Sequence, residues 1–405
     1  MIGRCAGPRL FLCVLCALSV RSAAAFAQEP PAPQPVSPAQ LQAAIDTLGK
    51  LDYTIRANAS RTVRRAPAAQ AVPALIQAAA EHADGYVRYR ALVLLTGFND
   101  PRTKDSMREA LTSPNDRLRA VAYSFFEHRP DPVLMTQFLA ALDKEQGEFV
   151  RPSLVRAVAA LAATAGDEST RARQALLREV ARGEDFFRSA VIEALGDYKA
   201  QYAVDALSAI AKLDGPLQDD AALTLGKIGV PRALETLAGL QQSAPRQAQP
   251  SVAAAICLLG VNCGSHENYL IETLKFSDKN AGFQELLRSA AAGLGALAVA
   301  GRAEAAEALV QIGIPSRDPT RAPVALALAT VALRNTSLML KLLESPARSA
   351  DREQAIALMA EGFVMLEEDL DKERFFALVR RTYWDSPESS PRRGLMQTLI
   401  GTLDF

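Results

Sequence analysis

Apolar side chains recur every three or four positions through most of this chain, and the pattern restarts about every 33 residues. Its clearest copy covers 84–95. There Val87, Ala91 and Leu95 fall at i, i+4 and i+8, making one apolar stripe of a helix with Arg88 and Arg90 off it. Asp84 stands where a carboxylate can accept from the first free backbone N–H groups, and Gly97 and Pro101 end the helix. The Val87-Arg88 pair returns as Ile55-Arg56, Leu118-Arg119, Val150-Arg151 and Phe187-Arg188. Leu217-Gln218, Val252-Ala253, Leu287-Arg288, Thr320-Arg321 and Asp351-Arg352 continue the series less faithfully, with 30 to 37 residues between neighbours.

Ahead of these second helices the same periodicity predicts first helices over 39–50, 72–83, 102–111, 133–142, 202–213, 233–242, 303–312 and 337–343. Pro114, Pro130-Asp131-Pro132, Gly215-Pro216, Gly229-Val230-Pro231, Pro245, Pro315 and Pro346 mark the turns, and longer loops are expected near 164–169 and 241–249. A two-helix unit of this size cannot hide its own apolar face. Copies must stack, each touching only its neighbours. The sequence therefore predicts an all-α solenoid of about ten units over residues 38–405. After Arg352 the period lapses, and the segment from about 366 reads as a C-terminal cap. Composition agrees: the chain is 49% hydrophobic but only 6% aromatic, which gives an Ala- and Leu-rich core of closely packed helices.

An acidic residue precedes the basic one in six copies: Asp52 and Arg56, Asp84 and Arg88, Asp116 and Arg119, Glu148 and Arg151, Asp185 and Arg188, Asp318 and Arg321. With the two-helix period, this resembles the HEAT-repeat family, in particular the short bacterial repeats related to those of phycobilisome lyases. The resemblance implies a right-handed superhelix with the second helices on its concave side. It also implies a structural ladder of these Asp/Glu and Arg residues between neighbouring repeats, interrupted at Gln218 and Ala253. It spans about 38–405 and speaks for fold rather than activity. The tetratricopeptide pattern needs Trp at a fixed offset, whereas the one Trp is Trp384, and the ankyrin Thr-Pro-Leu-His signature is absent.

At the N-terminus Arg4 and Arg9 precede the apolar run 10–20 and the small residues leading to Ala27. That is the order of a secretory signal peptide, expected over 1–27, and the apolar run is too short to span a bilayer. Cys13 and Cys16 raise a lipoprotein alternative, but each follows a Leu where a lipobox needs a small residue. Residues 28–37 form a Pro-rich tether, and Ser37-Pro38 opens the first helix. The expectation is a periplasmic or secreted chain. Removing 1–27 takes Arg4, Arg9 and Arg21 and no acid from a chain of zero net charge. The slightly negative remainder is no footprint for nucleic acid, and no integral membrane segment is expected in the mature chain.

Chemistry-bearing residues are few. Cys257 and Cys263 are the cysteines beyond residue 27, Cys257 near the end of a second helix and Cys263 in the loop after it. An exported compartment favours a disulfide between them; two thiols, or a metal shared with His266, are the alternatives. His82 and His128 lie at helix ends, where a capping role suffices, and only His266-Glu267 has the His-Glu order of metal-dependent HEAT-type hydroxylases. Ser153, Ser189 and Ser208 have no evident His partner, and no phosphate loop, G-x-S-x-G or H-E-x-x-H motif occurs. Asp219-Asp220 and the run 367–371 read as solvated helix faces, Phe125-Phe126 and Phe186-Phe187 as core with one ring of each lining the inner surface as the alternative, and Arg61, Arg64 and Arg65 as a basic edge of the first repeat. No catalytic residue, metal or cofactor is expected. The reading is an exported, non-enzymatic scaffold that binds a protein or peptide on its concave face, with a lyase- or hydroxylase-type enzyme as the alternative.

Overall fold

The computed structural model describes residues 36–164, 166 and 168–405. The expected signal peptide 1–27 and the tether as far as residue 35 lie outside the described residues. Val36, the first described residue, is docked: its N–H donates to Gln70 Oε1 and its carbonyl accepts from Gln70 Nε2, each at 3.2 Å.

The helices come in pairs. The first five are α1 Pro38–Thr47 with α2 Tyr53–Arg65, α3 Ala68–Glu81 with α4 Gly85–Thr96, α5 Thr103–Ala110 with α6 Asp116–His128, α7 Met135–Leu142 with α8 Val150–Ala162, and α9 Glu168–Val180 with α10 Asp185–Asp197. The next five are α11 Val204–Ala211 with α12 Gln218–Ile228, α13 Ala233–Ser243 with α14 Gln249–Leu258, α15 Cys263–Lys279 with α16 Gln284–Val299, α17 Ala303–Gly313 with α18 Arg321–Arg334, and α19 Thr336–Glu344 with α20 Arg352–Met365. A terminal pair follows, α21 Asp369–Asp385 and α22 Pro391–Leu403. No strand occurs among the described residues, and none of their helices is by itself long and apolar enough to cross a membrane.

Local chemistry sets the helix starts. Ser37 Oγ accepts from Gln40 N–H while Gln40 Oε1 accepts from Ser37 N–H, a reciprocal cap at α1. Asp52, Asp84 and Asn115 cap α2, α4 and α6 by accepting from Ile55, Tyr86 and Arg117 N–H. Val87, Ala91 and Leu95 are buried, as the stripe requires.

Curvature follows from side-chain size. From α4 onward each second helix packs closely on the next one, whereas successive first helices touch less. Two glycines mark where backbones nearly meet. A Cβ on Gly226 of α12 would come within 2.3 Å of Ala255 Cα in α14, and one on Gly362 of α20 within 2.1 Å of the Ala325 carbonyl in α18. Closer spacing along one edge bends the stack, so the second helices lie on the concave side. The terminal pair departs from the rule. Helix α22 takes the next stacking place against α19 and α20, while α21 turns inward and reaches α18, α4 and α6. A helix of 17 residues is about 25 Å long, so the second and ninth repeats stand within that reach. The array is a tightly closed solenoid.

Candidate functional site on the concave face

The basic residue near the start of most second helices does one job repeatedly. It donates to carbonyls at the end of the first helix of its own unit, groups that have no partner within that helix. Arg88 bonds the Ala79 carbonyl at 2.9 Å, Arg151 the Leu142 carbonyl at 3.0 Å, Arg188 the Val180 carbonyl at 3.0 Å and Arg352 the Leu343 carbonyl at 2.7 Å. Arg321 reaches the Gly313 and Ile314 carbonyls at 3.2 Å, and Arg56 the carbonyls of Lys50 and Leu51. Where the sequence departs from Arg, a glutamine amide substitutes: Gln218 bonds the Ala211 carbonyl at 3.0 Å and Gln249 the Ala244 carbonyl at 2.8 Å. The anchor of α14 is thus Gln249, four positions before the Val252-Ala253 that the sequence suggests.

The acidic partners are divided differently from the expected ladder. Asp52 and Asp84 cap their own helices, Asp185 pairs with Arg188 inside one helix at 2.9 Å, and Asp318 accepts from Ala322 N–H. Glu148 is exposed, and the carboxylate that meets Arg151 is Glu179 of the next repeat. Likewise Arg119 bonds Glu145 of the next repeat, besides Asp116, and Arg321 bonds Glu361 of the next. Contacts between repeats therefore run through Glu145, Glu179 and Glu361. A spacing fixed to the helix start cannot reveal these, because they lie on loops, at a first-helix end or late in a second helix.

Helix α21 fills the concave side of the early repeats through its acidic edge. Asp369 accepts from Tyr89 Oη and lies 3.1 Å from Arg90 Nη1, both on α4. Asp371 Oδ1 lies 2.8 Å from His128 Nε2 of α6, and its other oxygen 3.3 Å from Arg334 of α18. Glu368 meets Arg334 at 2.9 Å. Burial by itself would raise Asp371, but His128 and Arg334 outweigh it and hold the carboxyl down at about 2. Asp369 is held low in the same way by Arg90 and Lys372 against its own burial. Beside this seam Arg156 bridges Glu127 at 2.8 Å and Asp197 at 3.0 Å, and Lys227 adds a contact to Asp197 at 3.1 Å. The run 367–371 is hence not simply a solvated face: Asp369 and Asp371 close the superhelix.

Residues 39–127 and 72–159 match the family described as HEAT repeats. These residues are HEAT repeats. Among solved structures its array is similar to the complex of CpcE and CpcF of phycocyanin lyase from Nostoc sp. PCC7120, at 20% identity over 66% of this chain and 97% of that one, with a TM-score of 0.40. It is also similar to YibA of Escherichia coli, at 14% identity over 55% and 81% with a TM-score of 0.40, and to importin beta, at 12% over 90% and 58% with 0.37. No curated protein matches the sequence.

Within this array the remaining candidates are scattered. Cys257 and Cys263 are joined, and Cys263 begins α15 instead of lying in a loop. His82 lies 3.4 Å from Asp46, and burial lowers His266. Among the described residues no three of His, Cys, Asp and Glu are grouped as a metal would need. Asp219 and Asp220 are both raised by burial, Asp220 even though Ser189 donates to it at 2.6 Å. Phe125 and Phe126 are core, but Phe186 is exposed. It belongs to a row the sequence did not single out. Tyr86, Arg117, Phe149 and Phe186 each stand two positions before the anchor in four consecutive repeats.

Proposed function

We propose that this chain is an exported, non-catalytic scaffold that binds a protein or peptide along the rim of its concave face. The row Tyr86, Arg117, Phe149 and Phe186 carries the proposal. Phe149 is 57% and Phe186 60% exposed, and the Arg117 guanidinium sits 5.9 Å from the Tyr86 ring and 6.0 Å from the Phe149 ring. Two large rings left in water on adjacent repeats, with a cation beside one of them, are the side chains that anchor interfaces. Helices pack about 10 Å apart, which is about three residues of extended chain. An extended segment can therefore set every third side chain on successive rungs. Tyr89, one turn from Tyr86, already faces α21, so the row borders the closed part of the concave side. Export rests on the signal-like order of residues 1–27.

Capture from periplasmic extract, with the unaltered chain and with Phe149→Ala/Phe186→Ala, tests the reading. A partner retained by the former and lost by the latter is expected. A partner held equally by both, or stoichiometric iron or zinc together with small-molecule turnover, would overturn it. A reporter fused after residue 27 that stays in the cytoplasm would remove export.

A further inference from the structure

Where the first repeat meets α21 there is a cavity of about 440 Å³, lined by Arg64, Arg380, Arg381 and Glu373 with Pro67 and Trp384. Its charge is unbalanced. Arg64 is committed to Glu373, and Arg61, on the same helix, to Asp404. Arg380 is half-buried and has no hydrogen bond or ion pair among the described residues. Burial first, then the nearby Arg64 and Arg65, lowers it to about 10, with Glu373 only partly offsetting them. Arg65 is lowered too, by burial and by Arg61. Three guanidinium groups thus line the cavity against one carboxylate, Glu373, which Arg64 already engages. A second feature points the same way. Pro67 begins α3 with no side-chain cap, and Ala66, Pro67 and Ala68 form part of the cavity wall. The uncapped start of a 14-residue helix offers free N–H groups and the positive end of its dipole.

We propose that this cavity is a binding site for a small dianion of the phosphate class, held by Arg380, Arg381 and the start of α3. A guanidinium fork fits a phosphate through paired N–H bonds, and a doubly charged group relieves the surplus more fully than a single charge. The site lies between the first two repeats and α21, so the ligand also fastens α21 onto them. This inference stands apart from the rim, because it shares none of the rim residues.

Isothermal titration of the full mature chain with inorganic phosphate, at constant ionic strength, tests it. One saturable site is expected at millimolar or lower concentration, together with a rise in melting temperature. Losing one charge-assisted contact should weaken binding roughly tenfold in Arg380→Gln and in the exposed Arg381→Gln. Arg232→Gln removes an equal charge far from the cavity and should bind as before. Arg380→Gln should fold, since it relieves repulsion, and Arg381→Gln carries the test if it does not. Phosphatidic acid vesicles, whose headgroup is a phosphomonoester, separate the sources as a second probe: sedimentation with vesicles, reversed by phosphate, would assign the group to a lipid headgroup. Absence of saturable binding, or equal weakening in all three variants, would overturn the proposal.

Discussion

Arg64 in the first repeat holds Glu373 in α21 through three hydrogen bonds, Nε to Oε1 at 2.9 Å and to Oε2 at 3.1 Å and Nη2 to Oε2 at 2.6 Å, although 309 positions separate them. The two side chains are only 8% and 3% exposed. A pair this dry recovers little more than it cost to desolvate, yet either member left alone is costly. Glu373→Gln should therefore destabilise the fold by about 3–5 kcal/mol, whereas Arg64→Met combined with Glu373→Leu should recover most of that loss. Chemical denaturation of both variants checks this. Full stability in Glu373→Gln would mean that α21 does not close the array.

The closure should also be acid-labile. Asp371 lies at about 2 in the folded chain against an ordinary 3.8, and Asp369 is lowered in the same sense. A carboxyl depressed by folding contributes stability that is complete above its unfolded value and is lost as pH falls through the folded one. The window therefore runs from 3.8 down to about 2. Hydrogen exchange in α4, α6 and α21 should accelerate across it. Asp371→Asn should be less stable than the parent at neutral pH, and the two should converge near the bottom of the window. An unchanged acid profile in Asp371→Asn would refute the assignment.

The anchors should differ in strength according to charge. Arg119 bonds the Ser113 carbonyl at 2.8 Å, Asp116 at 2.7 Å and both oxygens of Glu145 at 3.0 and 3.1 Å. Arg119→Ala strands two carboxylates and a carbonyl and should cost about 2–3 kcal/mol, whereas Gln249→Ala removes only neutral amide bonds and should cost about 1 kcal/mol. Urea denaturation of the pair decides it, and equal losses would show that the charges contribute nothing beyond the backbone bond.

What the sequence made legible, and what it did not, follows from distance along the chain. Val87, Ala91 and Leu95 declare their helix because a period of 3.6 is a local property, and Arg88 recurs because every hairpin has the same orphan carbonyls. The α14 anchor was misplaced because Gln249 donates as Arg does without resembling it. Closure through Arg90 and Asp369 was invisible: 279 positions lie between them, and no period links the two. The rim row escaped notice because Tyr, Arg and Phe share no side-chain chemistry. Only the common position two before the anchor unites them.

One repeat lacks its anchor. Arg288 of α16 is exposed and, among the described residues, bonds only Glu285 at 2.7 Å, while Asn280 bonds back to the Phe276 carbonyl at the end of α15. The Cys257–Cys263 bridge ties α14 to the start of that same α15. Closing so short a loop contributes about 2 kcal/mol in the chain-entropy model, comparable to an anchoring arginine. Reduction should thus speed hydrogen exchange in α15 and α16 well before distant repeats respond, since each unit leans on its neighbours. Mass spectrometry of the exported protein without reductant should find neither thiol open to alkylation. If both alkylate without reductant, or if reduction leaves exchange in α15 unchanged, the bridge does not compensate for the missing anchor.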